Sequence, residues 1–108
     1  MALEIALFIA AGLAVSAGCL VPNRWLPSLP NDKLMHAVAF AVLSALALQL
    51  TAGTTQAALA LAGLMVAGWA IECLQQLVPD RQFSWRDIAA NGAGIAFVAA
   101  CAIVRARW

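Results

Sequence analysis

Charged residues are scarce in this sequence. Asp, Glu, Lys and Arg together make up 10% of its 108 residues, and 65% are hydrophobic. An ordinary soluble domain carries ~25% charged and ~45–50% apolar residues. A soluble helical protein of this size has to show a polar face on every helix, because most of its residues lie near the surface. The side chains to build such faces are missing here, and the mean hydropathy of +0.92 says the same. The expected solvent is lipid.

Other absences narrow the chemistry. No basic patch interleaved with aromatics is present, which excludes the usual nucleic-acid footprint. The net charge of +1 points to no class of partner. Cys19, Cys73 and Cys101 lie inside apolar runs, at spacings that match neither a zinc motif nor a redox pair. They read as small buried or lipid-facing residues. The single histidine excludes the His-Glu-x-x-His of zinc peptidases and the paired histidines of lipid-phosphate phosphatases. Ser84, between Phe83 and Trp85, lacks the Gly-x-Ser-Gly setting of a rhomboid-type protease, and there is no glycine-rich phosphate loop. The first apolar run is preceded by Glu4 rather than by Lys or Arg, and Ser16 stands where a lipoprotein box ending at Cys19 would have Leu. This segment is therefore expected to stay as a helix rather than act as a cleaved signal.

What is there is a set of charge-free runs with polar boundaries. Ile5 to Val21 holds no charge, and a stretch with Pro22, Pro27 and Pro30 follows, which excludes a continuous helix. Leu34 to Ile71 is again uncharged, about twice the ~20 residues that one span needs. Its only turn signal is Thr51-Ala52-Gly53-Thr54-Thr55-Gln56. Val78-Pro79-Asp80-Arg81 closes the next segment, and Arg105 and Arg107 follow the last. In lipid every backbone polar group needs an internal partner, and the alternation of barrel strands is absent. The expectation is an all-α, four-helix transmembrane bundle forming one domain over residues 1–108, with helices at about 3–21, 33–50, 56–77 and 85–104. Gly63, Gly68, Gly92 and Gly94 are expected to let these helices approach closely.

Four crossings gather the polar chemistry at one rim. Asp32, Lys33 and His36 open the second helix, Glu72, Gln75 and Gln76 close the third, and Arg81, Ser84, Arg86, Asp87 and Asn91 lead into the fourth. Spacings of three and four put Lys33 or Asp32 with His36 on one face, and draw Ser84, Asp87, Asn91 and Gly94 into one stripe. Glu72 and Asn91 lie more than a turn inside apolar runs, where a charged group costs ~2.5–3.5 kcal/mol unless paired or hydrated. Plainer roles compete for several of these residues. Asp32 and Ser84 can cap helices, the latter with Asp87 as partner, while the arginines and Trp25, Trp85 and Trp108 can anchor in headgroups. A cap does not sit inside a span, so Glu72, His36 and Asn91 ask for another role; the catalytic candidates are Glu72, His36 and Asp87. The binding candidates are Asp32, Lys33, His36, Glu72, Gln75, Arg81, Ser84, Asp87 and Asn91. The donor types of His36, Glu72 and Asp87 are compatible with a cation, but no metal and no cofactor is the expectation.

These ordered motifs, Asp32-Lys33-x-x-His36, Glu72-x-x-Gln75 and Arg81-x-x-Ser84-x-x-Asp87-x-x-x-Asn91-x-x-Gly94, resemble the VanZ-like family of small bacterial membrane proteins. The match runs from Asp32 to Gly94; Ala37 stands where an aromatic residue often follows the family's histidine. The resemblance implies a multi-pass protein of the bacterial cell (inner) membrane with a link to the cell envelope or to glycopeptide response. It implies no settled reaction. From the residues themselves two functions are open. One is a module in the lipid bilayer that binds an envelope lipid, a lipid-linked intermediate or another membrane protein, with Lys33, Arg81 and Arg86 meeting phosphate. The other is a membrane enzyme acting on a lipid-linked phosphate or acyl substrate, with Glu72 or His36 as general base and Arg81 stabilising the anion.

Overall fold

The computed structural model describes residues 2–20, 32–78 and 85–107. They form α1 (Ala2–Leu20), α2 (Asp32–Gln49), α3 (Gly53–Gln75) and α4 (Trp85–Arg107). No strand occurs among the described residues, so the chain is all-α as expected. All four prolines fall between these helices, and Ala and Leu, which favour helix, fill them.

The α2–α3 turn is shorter than the sequence suggests. The Leu50 and Thr51 N–H groups donate to the carbonyls of Ala47 and Leu48 at 3.0 and 3.4 Å, and Thr51 Oγ1 donates to Leu48 O at 3.0 Å. The end of α2 is thereby satisfied within two residues. Helix α3 then starts at Gly53 instead of about residue 56. Gly53 sits at φ +83°, a value that glycine adopts without strain. The Gln56 side chain, four residues on, reaches back to accept the N-cap Ala52 N–H at 2.8 Å, and so belongs to the helix start. At the other end α3 stops at Gln75, and Leu77 and Val78 tighten the last turn by donating to Leu74 and Gln75 at 3.0 Å. Helix α4 runs three residues past the expected end, to Arg107. Arginine is a good helix former, and a cation at a helix C-terminus meets the dipole favourably.

Contacts give the directions of the helices. His36 meets Asp87 and Asn91, Gly94 lies against Ala37 and Ala41, and Ala45 and Leu48 face Val98 and Ala102. Rising numbers on α2 match rising numbers on α4, so the two run parallel. Gly68 of α3 lies against Asn91 and Phe40, whereas Glu72 reaches His36 and Asp87, so α3 runs antiparallel to both. Among the described residues the α2–α4 interface is the most extensive. Its closest point is Gly94, where a Cβ would strike the carbonyl of Ala37 and come within 3.0 Å of Ala41 N. Gly68 and Gly92 also sit at helix contacts. Gly63 does not: a Cβ there meets nothing within 4 Å, because its face of α3 points away from the bundle. Helix α1 packs on α2 and α3, and its Phe8, Ala11 and Val15 cover a small core of Phe40, Leu43 and Ile95.

Among the described residues, Gly53–Gln75 and Trp85–Arg105 are long and apolar enough to cross a membrane. Ala2–Gly18 and Leu34–Gln49 are apolar but shorter.

Candidate functional site

The interior is more polar than the exterior. The buried hydrophobic residues are Phe40, Leu43, Ala47 and Ile95; the buried polar ones are His36, Ser44, Glu72, Gln75, Asp87 and Asn91. Each helix delivers its share on one face. Spacings of four and three put His36, Phe40, Leu43 and Ala47 on the inner stripe of α2, with Ser44 beside them. Gly68, Glu72 and Gln75 form that stripe on α3, and Asp87, Asn91, Gly94 and Ile95 on α4. Because α3 opposes the other two, the end of its stripe meets the beginning of theirs.

The result is one cluster. Among the described residues its exposure runs from 0% at Glu72 to 8% at His36. His36 Nδ1 lies 3.1 Å from Asn91 Oδ1. An amide oxygen only accepts, so the imidazole donates from Nδ1. The other ring nitrogen, Nε2, faces Asp87 Oδ2 at 3.6 Å, outside hydrogen-bond range. One donor atom from each of His36, Glu72 and Asp87 lies within 4.8 Å of the others. Asn91 packs closely over Gly68, its Nδ2 lying 2.9 Å from where a Cβ at position 68 would stand. A larger residue at position 68 would push the amide off the histidine. This set can exchange protons, accept several hydrogen bonds or ligate a cation.

The structure thus brings together His36, Glu72, Asp87 and Asn91, with Gln75 buried one turn from Glu72. Asp87, also a candidate capping partner, lies in the first turn of α4 and points at His36. Asp32 and Lys33 begin α2, and their side chains lie outside the described residues, as do Arg81 and Ser84 altogether. Gln76 is exposed and stands apart from the cluster. Trp85 and Arg86 are exposed at the same end of the bundle.

Sequence reading missed Ser44, which is fully buried with no hydrogen bond at its Oγ. The signal available was its position two helical turns from His36, on the face that also carries Phe40. A buried hydroxyl without a partner costs ~1–3 kcal/mol on mutational scales. Ser44→Ala is therefore expected to raise stability by about 1 kcal/mol in detergent-based unfolding. A loss of that size would show that the hydroxyl is holding a bond.

Comparison with protein-family models, curated proteins and solved structures finds no match. Fold and cluster by themselves define a class: a small all-helical protein with two helices able to cross a membrane. Between three of its helices lies a buried group of histidine, carboxylates and amides.

Proposed function

We propose that the chain is a VanZ-like, four-span protein of the bacterial cell membrane whose cluster end binds an envelope lipid. The observation that carries this reading is the inverted distribution of polarity. Leu13, Leu59, Val66, Phe97 and Ile103 are all more than half exposed, while Glu72, Asp87 and Asn91 are buried. The core helix of a soluble protein is mostly buried, yet only 11% and 22% of the apolar windows in α3 and α4 are. Water would penalise so much exposed apolar surface, and lipid does not.

The dimensions agree with this. From Arg86 to Arg105 helix α4 rises about 29 Å, close to the ~30 Å of a hydrocarbon core. Exposed Trp85 and Arg86 then lie at one headgroup level and exposed Arg105 at the other. Helices α1 and α2, apolar but shorter, fit as the two remaining spans. At the cluster rim Arg86, with Lys33 and Arg81 close in sequence to the site, supplies cations for a phosphate, and the buried amides and carboxylates beneath supply hydrogen bonds for what the phosphate carries.

Two measurements test the reading. The chain is expected to stay with membranes through an alkaline wash and to need detergent for purification; release as a water-soluble monomer ends the proposal. Lipid copurified with the wild type, identified by mass spectrometry, is expected to include an anionic envelope lipid and to fall at least tenfold in a Lys33→Ala/Arg86→Ala variant. Equal lipid profiles in both would favour a protein partner. Conversion of that lipid by the wild type, lost in Glu72→Gln, would make the chain an enzyme.

A further inference from the structure

We propose that a groove between α2 and α4, at the end of the bundle away from the cluster, holds one anionic phospholipid of the bilayer. Its phosphate sits at Arg105 and Gln49, and an acyl chain lies along Ala45, Leu48, Val98 and Ala102. This inference rests on the reading that the chain spans a membrane, but not on lipid binding at the cluster.

The two helices touch at Gly94, where the Ala37 carbonyl leaves no room for a Cβ. Farther along, toward their C-terminal ends, an open groove of about 550 Å³ lies between them. That volume falls within the ~300–1,000 Å³ of sites that take a small molecule. Ala45, Gln49 and Ala102 are exposed, so the groove opens outward, away from the core of Phe40, Leu43 and Ile95. Among the described residues, only α2 and α4 line it. In a bilayer such a groove is filled by lipid, because a void beside apolar side chains forfeits their dispersion contacts.

The order of polarity along the groove selects the lipid. From Val98 to Arg105 helix α4 rises about 10 Å. Leu48, Val98 and Ala102 line the deeper part, and Arg105 and Gln49, the last residue of α2, stand at the headgroup end. That is the order of an amphiphile, tail below and head above. A guanidinium meets a phosphate with two parallel N–H donors, and the glutamine amide adds another. No carboxylate competes for this cation among the described side chains. Glu72 and Asp87 belong to the cluster at the far end, and Glu4 is on α1, which does not pack against α4. A second copy of the chain is a poorer occupant. Two copies paired groove to groove about a two-fold axis would bring their Arg105 guanidiniums together, like charges in a lipid setting.

The test uses the full-length protein in detergent, stripped of lipid and titrated with dioleoylphosphatidylglycerol, with bound lipid counted by native mass spectrometry. Lys33→Ala/Arg86→Ala serves as the background, so that the cluster end is silenced. This background is expected to keep one tightly bound phosphatidylglycerol and to hold dioleoylphosphatidylcholine about tenfold more weakly. Adding Arg105→Gln should weaken the phosphatidylglycerol about tenfold by removing charge-assisted bonds, and Arg105→Lys should weaken it less. Ala102→Phe, which fills the groove, should also release the lipid. Helicity is checked first, although Arg105 and Ala102 are exposed and neither supports the core. Undiminished phosphatidylglycerol binding in folded Arg105→Gln overturns the site. So does a wild-type dimer that Ala102→Phe dissociates, since the groove then belongs to a second copy. The two lipid readings fail separately. Binding lost through Arg105→Gln but not in the background supports the groove and sinks the cluster reading, and the converse pattern sinks the groove alone.

Discussion

Gly94→Ala is expected to destabilise the helix bundle by about 3 kcal/mol, at the upper end of what one added methyl costs in a packed interior. The reason lies in what the methyl would meet. At Gly94 the obstacles are the Ala37 carbonyl and Ala41 N, main-chain atoms of a regular helix. They cannot rotate aside, so α2 and α4 have to separate. That separation would open the contact between Phe40 and Ile95 and stretch the His36–Asn91 hydrogen bond. At Gly68 the obstacles are side chains, the Asn91 amide at 2.9 Å and the Phe40 ring at 3.1 Å, and these can give part of the way. At Gly63 there is no obstacle, so alanine only brings its better helix propensity, up to ~1 kcal/mol. Unfolding of Gly94→Ala, Gly68→Ala and Gly63→Ala in one detergent should rank them in that order, with Gly63→Ala at or above the wild type. Equal stability for all three would mean that α2 and α4 do not pack as closely as their backbones are placed.

That ranking shows where sequence reading stopped. The four glycines look alike along the chain, and small residues in apolar helices signal close packing in general. Which of them faces a neighbour depends on how each helix is rotated, and that follows from contacts made across the bundle. The helices themselves were legible, because charge-free runs with proline-bearing breaks leave few alternatives. Their ends were less so. Gln56 reads as a turn residue until its side chain is seen bonding back to Ala52. In the site, Glu72, His36, Asp87 and Asn91 were legible because an ionisable or amide group inside an apolar run demands a partner. Their meeting point was foreseen only as a shared rim. No short motif links His36, Glu72 and Asp87, since each comes from its own helix. Ser44 gave only its position two turns from His36 as a signal, and a serine is unremarkable in any helix until its face is known to be inward.

The other large effect concerns the cluster as a whole. His36→Ala is expected to cost about 3–5 kcal/mol, the usual penalty for breaking a buried charged network on one side. It removes the group between Asp87 and the Asn91 amide and leaves two carboxylates close together in a low-dielectric interior. Replacing the whole set should behave differently. A triple variant, His36→Leu with Glu72→Met and Asp87→Ala, keeps the volume roughly constant and leaves no charge to bury. Exchanges of this kind are often neutral or stabilising, so the triple variant is expected to fold within about 1 kcal/mol of the wild type. Comparing single and triple variants separates two reasons for having the cluster. If the triple variant is as unstable as His36→Ala, the polar groups hold α2, α3 and α4 together, and the case for a bound ligand loses its support. If it folds well and has lost its lipid, the bundle does not need these groups to stand. The cluster would then be a stability cost borne for binding, at the place where the three helices come closest to sharing one site.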